Sequence, residues 1–484
     1  MKIKKFLKNK LGNKYQNFYL KNILYKIFGK FFYVIRNFFK KKSKKFNFFK
    51  TNLNKKIEHQ KIIRNEIELY RRKIKKGELS KSSEVILDEI KYKVLAKVSL
   101  NLVNVINGTG IVLHTGFGRA PFTSKNLKKI AKKMEGYVNL EFNLNDGKRG
   151  DRQEHVREIL SSICQSESSL VVNNNAAAVM LAINDIAKSG EVIVSRGELV
   201  EIGGSFRIPD IIHAGGAILK EVGTTNRTHI KDYRNAINKN TKLILSVHTS
   251  NYVIKGFTKS VRLAELVSLG EKYNIPIMVD WGSGSLLKNI SKNVSLDIPI
   301  NQLMKDKPDI VTFSGDKLIG GPQSGIVVGR ENIIKNLQKN TLYRTLRPDK
   351  LTIGLLEETL RSYRSTSFSK DNLSLNMLKT SRATLRKRGE KLIKLIKKSV
   401  IKDLDISLVP SLVEAGSGSL PEKNIKSMAL IFNPKFIKCS MLAKKLRLGK
   451  IPVVGFIKEN RFYIDLKAVL PSQLMKLSQV INSI

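Results

Sequence analysis

The sequence predicts an open α/β domain, followed by a smaller α+β domain and preceded by a basic helical region. Three observations carry this. Short β-rich runs (SLVVN, EVIVS, LILSVH, IPIMVD and DIVTFS) alternate with longer helical stretches such as AAAVMLAINDIAKSG and VRLAELVSLGEKY, the pattern of parallel strands joined by crossover helices. A chain of 484 residues with 42% hydrophobic content is long and apolar enough for two or three cored domains. Charge is spread unevenly: 88 Lys and Arg face 40 Asp and Glu, a formal +48, yet the first acidic residue is Glu58.

Residues 1–60 form a basic N-terminal extension. Within it Leu24, Phe28, Phe31, Ile35 and Phe38 recur at helical spacing, with Lys21, Lys26, Lys30 and Arg36 between them. The reading is a basic amphipathic helix that packs on its own domain or faces nucleic acid or a membrane surface. Gly29 in its middle weakens it. Residues 61–100 are a helical segment, dense in charge along IRNEIELYRRKIKKGE. The α/β pattern fills residues 101–365. After the Ser-rich stretch SYRSTSFSK, residues 366–484 carry the helix, strand and Gly-turn signals of a small α+β domain. Cys164 and Cys439 lie far apart without metal or redox spacing, which gives a reduced, cytoplasmic setting and no metal site. No apolar run approaches the ~18–20 residues needed to cross a bilayer, so membrane residence is not expected.

The residues with chemical potential cluster at predicted strand ends. DIVTFS runs into Ser314, Gly315, Asp316 and Lys317, then a Gly-Gly-Pro turn and another β-run. A lysine there, desolvated and flanked by glycines, is suited to a Schiff base, because a buried amine loses its proton and becomes nucleophilic. IPIMVD puts Asp280 at the tip of an apolar strand, where open α/β sheets place ligands. A carboxylate there can pair with a protonated pyridine nitrogen. LILSVH delivers His248, placed to stack on a flat cofactor. In LVVNNNAAAVMLAI a strand passes into a helix through Asn173, Asn174, Asn175, Ala176 and Ala177, an anion site suited to a cofactor phosphate. Anion loop, ring-pairing aspartate and distal lysine stand in the chain order of fold-type I pyridoxal-phosphate enzymes of the aspartate aminotransferase kind.

The strings NGTGIVLHTGFGRAPF, VVNNNAAAVMLAI, VSRGELVEIGGSFRIPD, EVGTTNRTH, VHTSNYVIKGFT, DWGSGSL, FSGDKLIGGPQSGI and LYRTLRPDKLT resemble, in order, the motifs of the bacterial selenocysteine synthase family. The likeness implies that Lys317 holds pyridoxal 5'-phosphate, that Asp316 acts beside it as acid/base or toward the phosphate, and that Asp280 meets the pyridine nitrogen. It also implies that Arg119, Arg344 and Arg347 bind selenophosphate; Arg344 and Arg347, three apart, are expected on one helix face. Two departures stand out. Gly116 and Phe117 replace the family's Asn-Leu pair before Gly118 and Arg119, and Arg149, Gly150, Asp151 and Arg152 replace RGSR. The family's compact RNA-binding N-terminal domain is not recognisable in residues 1–60.

The resemblance implies a transferase of protein biosynthesis. It converts seryl-tRNA(Sec) to selenocysteinyl-tRNA(Sec) through an aminoacrylyl intermediate, as a homo-oligomer, a ring of dimers. Two rivals are a related pyridoxal-phosphate lyase acting on a small sugar acid or amino acid without RNA, and a catalytically silent RNA-binding or scaffold protein.

Overall fold

The computed structural model describes residues 53–76, 101–202, 206–291, 294–365, 371–420 and 425–484. The amphipathic face Leu24–Phe38 lies outside the described residues, as do residues 77–100 of the helical segment and 366–370 of the Ser-rich stretch. The chain divides into two units, residues 1–104 and 105–484. In the first, helix α1 (Leu53–Lys75) runs across residue 60. Ile67 and Tyr70, three apart on one face, are buried, and Arg71 pairs with Glu68 one turn away.

The second unit is built on a seven-stranded sheet. In chain order its strands are β1 (Ser168–Val172), β2 (Glu191–Ser195), β3 (Ile218–Val222), β4 (Thr241–Val247), β5 (Ile277–Asp280), β6 (Ile310–Ser314) and β7 (Gly325–Gly329). They lie side by side as β1-β7-β6-β5-β4-β2-β3. The neighbours from β6 to β3 are all parallel, whereas β7 runs antiparallel to both β6 and β1. The sheet is therefore mixed rather than wholly parallel. The reason is local: only ten residues separate β6 from β7, too few for a crossover helix. Every residue of β1, β5, β6 and β7 is buried, which explains their unbroken apolar runs.

Helices cover both faces of this sheet. Helix α2 (Glu154–Cys164) buries Val156, Ile159, Leu160 and Cys164. Helix α3 (Asn175–Ala187) is almost wholly apolar, and Ala177, Ala178 and Ala182 let it lie close to the strands. Helix α4 (Leu263–Tyr273) buries Leu266, Val267 and Leu269 against β4 and β5, and stops at Asn274, whose φ of 54° is the left-handed cap conformation. Because β1, β4, β5 and β6 run the same way, Asn173, His248, Trp281 and Gly315 all follow strand ends on one edge.

The C-terminal part forms a four-stranded antiparallel sheet, β8 (Ile406–Val413), β9 (Ile425–Phe432), β10 (Phe456–Lys458) and β11 (Arg461–Asp465), in the order β8-β9-β11-β10. Its core gathers Phe432, Phe462, Leu442 and Leu477. Residues 106–109, which the sequence assigns to the large domain, lie on this smaller layer. Ile106 and Asn107 pair in parallel with Val453 and Val454, Thr109 bridges Asp465, and Ile106 enters the small core.

Candidate active site

Lys317 lies just past the end of β6 and is 5% exposed. Burial pushes its amine below the ordinary lysine range, while Asp280 pulls it back and Arg119 pushes it further down. A side chain at Gly282 would come within 3.7 Å of Lys317 Nζ and 3.9 Å of Asn175 Nδ2, so this glycine leaves open the space between them. The loop after β5 is tied to the lysine segment by Leu318 N–H donating to the Ser283 carbonyl at 3.2 Å.

Asp280 closes β5 and is 4% exposed. Asn175 Nδ2 donates to its Oδ1 at 2.8 Å, and Thr312 Oγ1 donates to the same oxygen at 3.3 Å. Burial raises the Asp280 carboxyl above the usual range, and Asn175, Lys317 and Thr312 pull against it. Asn175 thus acts on the aspartate instead of presenting its side chain to an anion. Asn174 caps α3, its side chain accepting from Ala177 N–H at 2.9 Å. Of the expected anion loop, the N–H groups of Asn175 and Ala176 remain at the open end of the helix. Gly325 at the start of β7 supports that end: a Cβ there would lie 2.1 Å from the Asn174 carbonyl oxygen.

His248 N–H donates to the Asp280 carbonyl at 2.9 Å, which sets the residue beside the aspartate. Its ring stacks on Trp281, centroids 3.8 Å apart and planes 20° apart; one imidazole face is thus taken by a residue of the chain. Burial pushes the imidazole below its ordinary range. The buried atoms His248 Nδ1, Trp281 Nε1, Ser283 Oγ and Asn175 Oδ1 make no hydrogen bond among the described residues. Buried polar atoms are ordinarily paired, so this group of orphans at one strand edge marks a place for a polar ligand.

The three arginines stand in three different settings within the chain. Arg119, at a φ of 58°, pairs with Asp316 at 2.7 Å, and Asp316 is 5% exposed. Arg347 pairs with Glu141 at 3.0 Å; the same carboxylate holds Arg152 at 2.6 Å and Arg149 at 3.0 Å. Arg344 is exposed in the last turn of helix α5 (Thr341–Leu346). The expected shared helix face is absent, because Arg347 is the residue after the helix, with φ −66° and ψ 132°. Pro348 forces this, since a proline disfavours helical backbone in the residue before it. The two departures from the family pattern are accommodated: Phe117 stacks on His114 at 4.2 Å, and Asp151 pairs with Arg157 at 2.7 Å.

Trp281, Asp297 and Glu198 belong to this neighbourhood and Glu141 holds Arg347, yet none of the four stands out in the sequence. Glu198 accepts from Val247 N–H at 2.8 Å, just before His248, and burial pushes its carboxyl up to about 7. It falls within VSRGELVEIGGSFRIPD, but a lone carboxylate in a string carries no mark of such a partner.

A family model described as L-seryl-tRNA selenium transferase matches residues 105–470. An L-seryl-tRNA(Sec) selenium transferase of Aquifex aeolicus is 41% identical over 425 residues, 88% of this chain and 93% of the relative. Another, from Carboxydothermus hydrogenoformans, is 45% identical over 370 residues, 76% of this chain and 79% of the relative. Among solved structures, a D-glucosaminate-6-phosphate ammonia-lyase superposes with a TM-score of 0.56 at 18% identity, over 81% of this chain and 98% of that one; at that identity the likeness bears on fold alone.

Proposed function

The chain belongs to the L-seryl-tRNA selenium transferase family, and from that membership we propose that its strand-edge site converts serine esterified to the selenocysteine transfer RNA into selenocysteine, with selenophosphate as donor. The observation that supports this most is the buried amine of Lys317 beside Asp280, an aspartate whose Oδ1 is fixed by Asn175.

The family's cofactor is pyridoxal phosphate, and the residues present fit it. The orphaned polar atoms, the space kept open by Gly282 and the donor chemistry all suit a flat, phosphorylated heterocycle. Lys317 would hold it covalently. Asp280 would meet the pyridine nitrogen, since both of its present bonds fall on Oδ1. Asn175 and Ala176 N–H groups would face the phosphate. His248 would offer the ring face that Trp281 leaves uncovered. When bound, the cofactor supplies an electron sink for the pair released at the substrate α-carbon.

The remaining chemistry falls to side chains. Desolvation keeps a larger share of the Lys317 amine unprotonated than an exposed lysine would have, so Nζ can take the α-proton of the seryl group and later return a proton. Asn175 and Thr312 keep Asp280 oriented and oppose its protonation. Asp316, held by Arg119, lies next to Lys317 in sequence; in this reading it acts at the departing β-hydroxyl. Arg119 and Arg347 can bind selenophosphate only by exchanging Asp316 and Glu141 for the anion, or by sharing them with it. A neighbouring copy in a homo-oligomer would complete the pocket with Arg344.

The basic residues 1–60 add non-specific affinity for the RNA backbone in this reading. Among the described residues no helix is long and apolar enough to cross a membrane, which is compatible with a cytoplasmic place beside the translation apparatus. The test is direct: cofactor-loaded protein, charged seryl-tRNA(Sec) and selenophosphate should give RNA-bound selenocysteine by mass spectrometry of the released amino acid. Consumption of free serine or a sugar acid, with the RNA ester untouched, would favour the lyase alternative.

A further inference from the structure

Three carboxylates surround Lys317, and two are occupied. Asp280 Oδ1 accepts from Asn175 and Thr312, and Asp316 is paired with Arg119. Asp297 differs: its Oδ2 is buried and accepts no hydrogen bond among the described residues. Its place is fixed by backbone. Leu296 N–H donates to the Lys288 carbonyl at 2.7 Å and Ile300 N–H to the Ser285 carbonyl at 2.9 Å. Both anchors lie on the loop that leaves Asp280, the same loop that Leu318 grips through Ser283. The charge of Asp297 is felt at both Lys317 and His248, raising each against the effect of burial. A buried, unpaired carboxylate oxygen therefore lies within electrostatic reach of these two side chains.

We infer that Asp297 is the counter-charge for the substrate's α-ammonium group and selects an aminoacyl ester over the free amino acid. The inference rests on the functional reading above. A free amino acid brings a carboxylate beside its ammonium, whereas in an aminoacyl ester that carboxylate is esterified and only the positive charge remains. A lone anionic side chain attracts the second and repels one end of the first, so a single residue supplies attraction and rejection together. Within one chain Arg119, whose charge reaches Lys317, is already engaged with Asp316, which leaves a free carboxylate less to bind.

The experiment titrates cofactor-loaded parent protein and Asp297→Asn with L-serine methyl ester and with L-serine, following cofactor absorbance. The parent should prefer the ester, and the preference should fall about tenfold to a hundredfold in Asp297→Asn, the range expected for a hydrogen bond to a charged group. Asp297→Glu, which keeps the charge, should retain most of it and guards against simple misfolding. As a second readout, Lys317 in cofactor-free Asp297→Asn should react faster with an amine reagent at fixed pH, because a neighbour that favours its charged form is gone. An unchanged ester preference, or an unchanged labelling rate, overturns the role of Asp297 alone. If the parent responds to neither the ester nor seryl-tRNA, the functional reading falls and this inference with it.

Discussion

Replacing Asn175 by Ala removes the 2.8 Å bond to Asp280 Oδ1 and leaves the weaker 3.3 Å bond from Thr312. Hydrogen bonds to charged groups contribute roughly 1.5–3 kcal/mol, so pyridoxal phosphate affinity should weaken about tenfold to a hundredfold. The pH dependence follows from the direction of the Asp280 shift. Its carboxyl is raised in the folded protein, so its contribution to stability is fully present below the ordinary carboxylate range and is lost as pH rises through the folded value. Without Asn175 that value rises further. Parent and variant, both cofactor-free, should therefore melt closer together in mild acid than above neutrality. Cofactor titration by visible absorbance and thermal melts at several pH values test both statements. An unchanged affinity together with a pH-independent melting difference would refute the assignment of Asn175 to Asp280.

Other outcomes follow from the same geometry. Gly325→Ala places a Cβ 2.1 Å from the Asn174 carbonyl; displacing that backbone should cost about 1–3 kcal/mol and impair cofactor binding, read by thermal melts and absorbance titration. Arg119→Ala, Arg344→Ala and Arg347→Ala should each take up cofactor with the parent's spectrum yet fail to transfer selenium; loss of cofactor colour would show that they hold the cofactor instead. Removal of residues 1–60 should raise the dissociation constant for transfer RNA and flatten its log–log salt dependence by roughly 0.7–0.9 per lost phosphate contact, with the cofactor spectrum unchanged. Filter binding alongside vesicle co-sedimentation separates this from a membrane role, and an unchanged slope contradicts the RNA reading.

What could be read from sequence was set by local chemistry. Strands β1, β5 and β6 are buried throughout, and β4 is buried except at Lys242 and Ser246; they announce themselves as largely apolar runs, and the strand-end positions of Lys317, Asp280 and His248 follow from them. Strand β3, ILKEV, is an edge strand with Ile218 exposed, so its mixed composition hides it. Partner choice was hidden for a different reason. Asn175 meets Asp280 across 105 residues, Arg347 meets Glu141 across 206, and Trp281 stacks on His248, the residue just past the neighbouring strand; no periodicity or spacing encodes such pairs. The break between Arg344 and Arg347 was legible, because Pro348 marks it, yet the three-residue spacing suggested a shared face. Asp297 carries no local signal, and only its unpaired buried oxygen and the reach of its charge to Lys317 and His248 bring it forward.

The central claim, that Lys317 is the covalent anchor of the site, is tested most directly by borohydride reduction of the cofactor-loaded protein followed by peptide mapping. The account predicts one pyridoxyl adduct, on the peptide containing Lys317, and none after Lys317→Ala. An adduct on another lysine, with the Lys317 peptide unmodified, would contradict it.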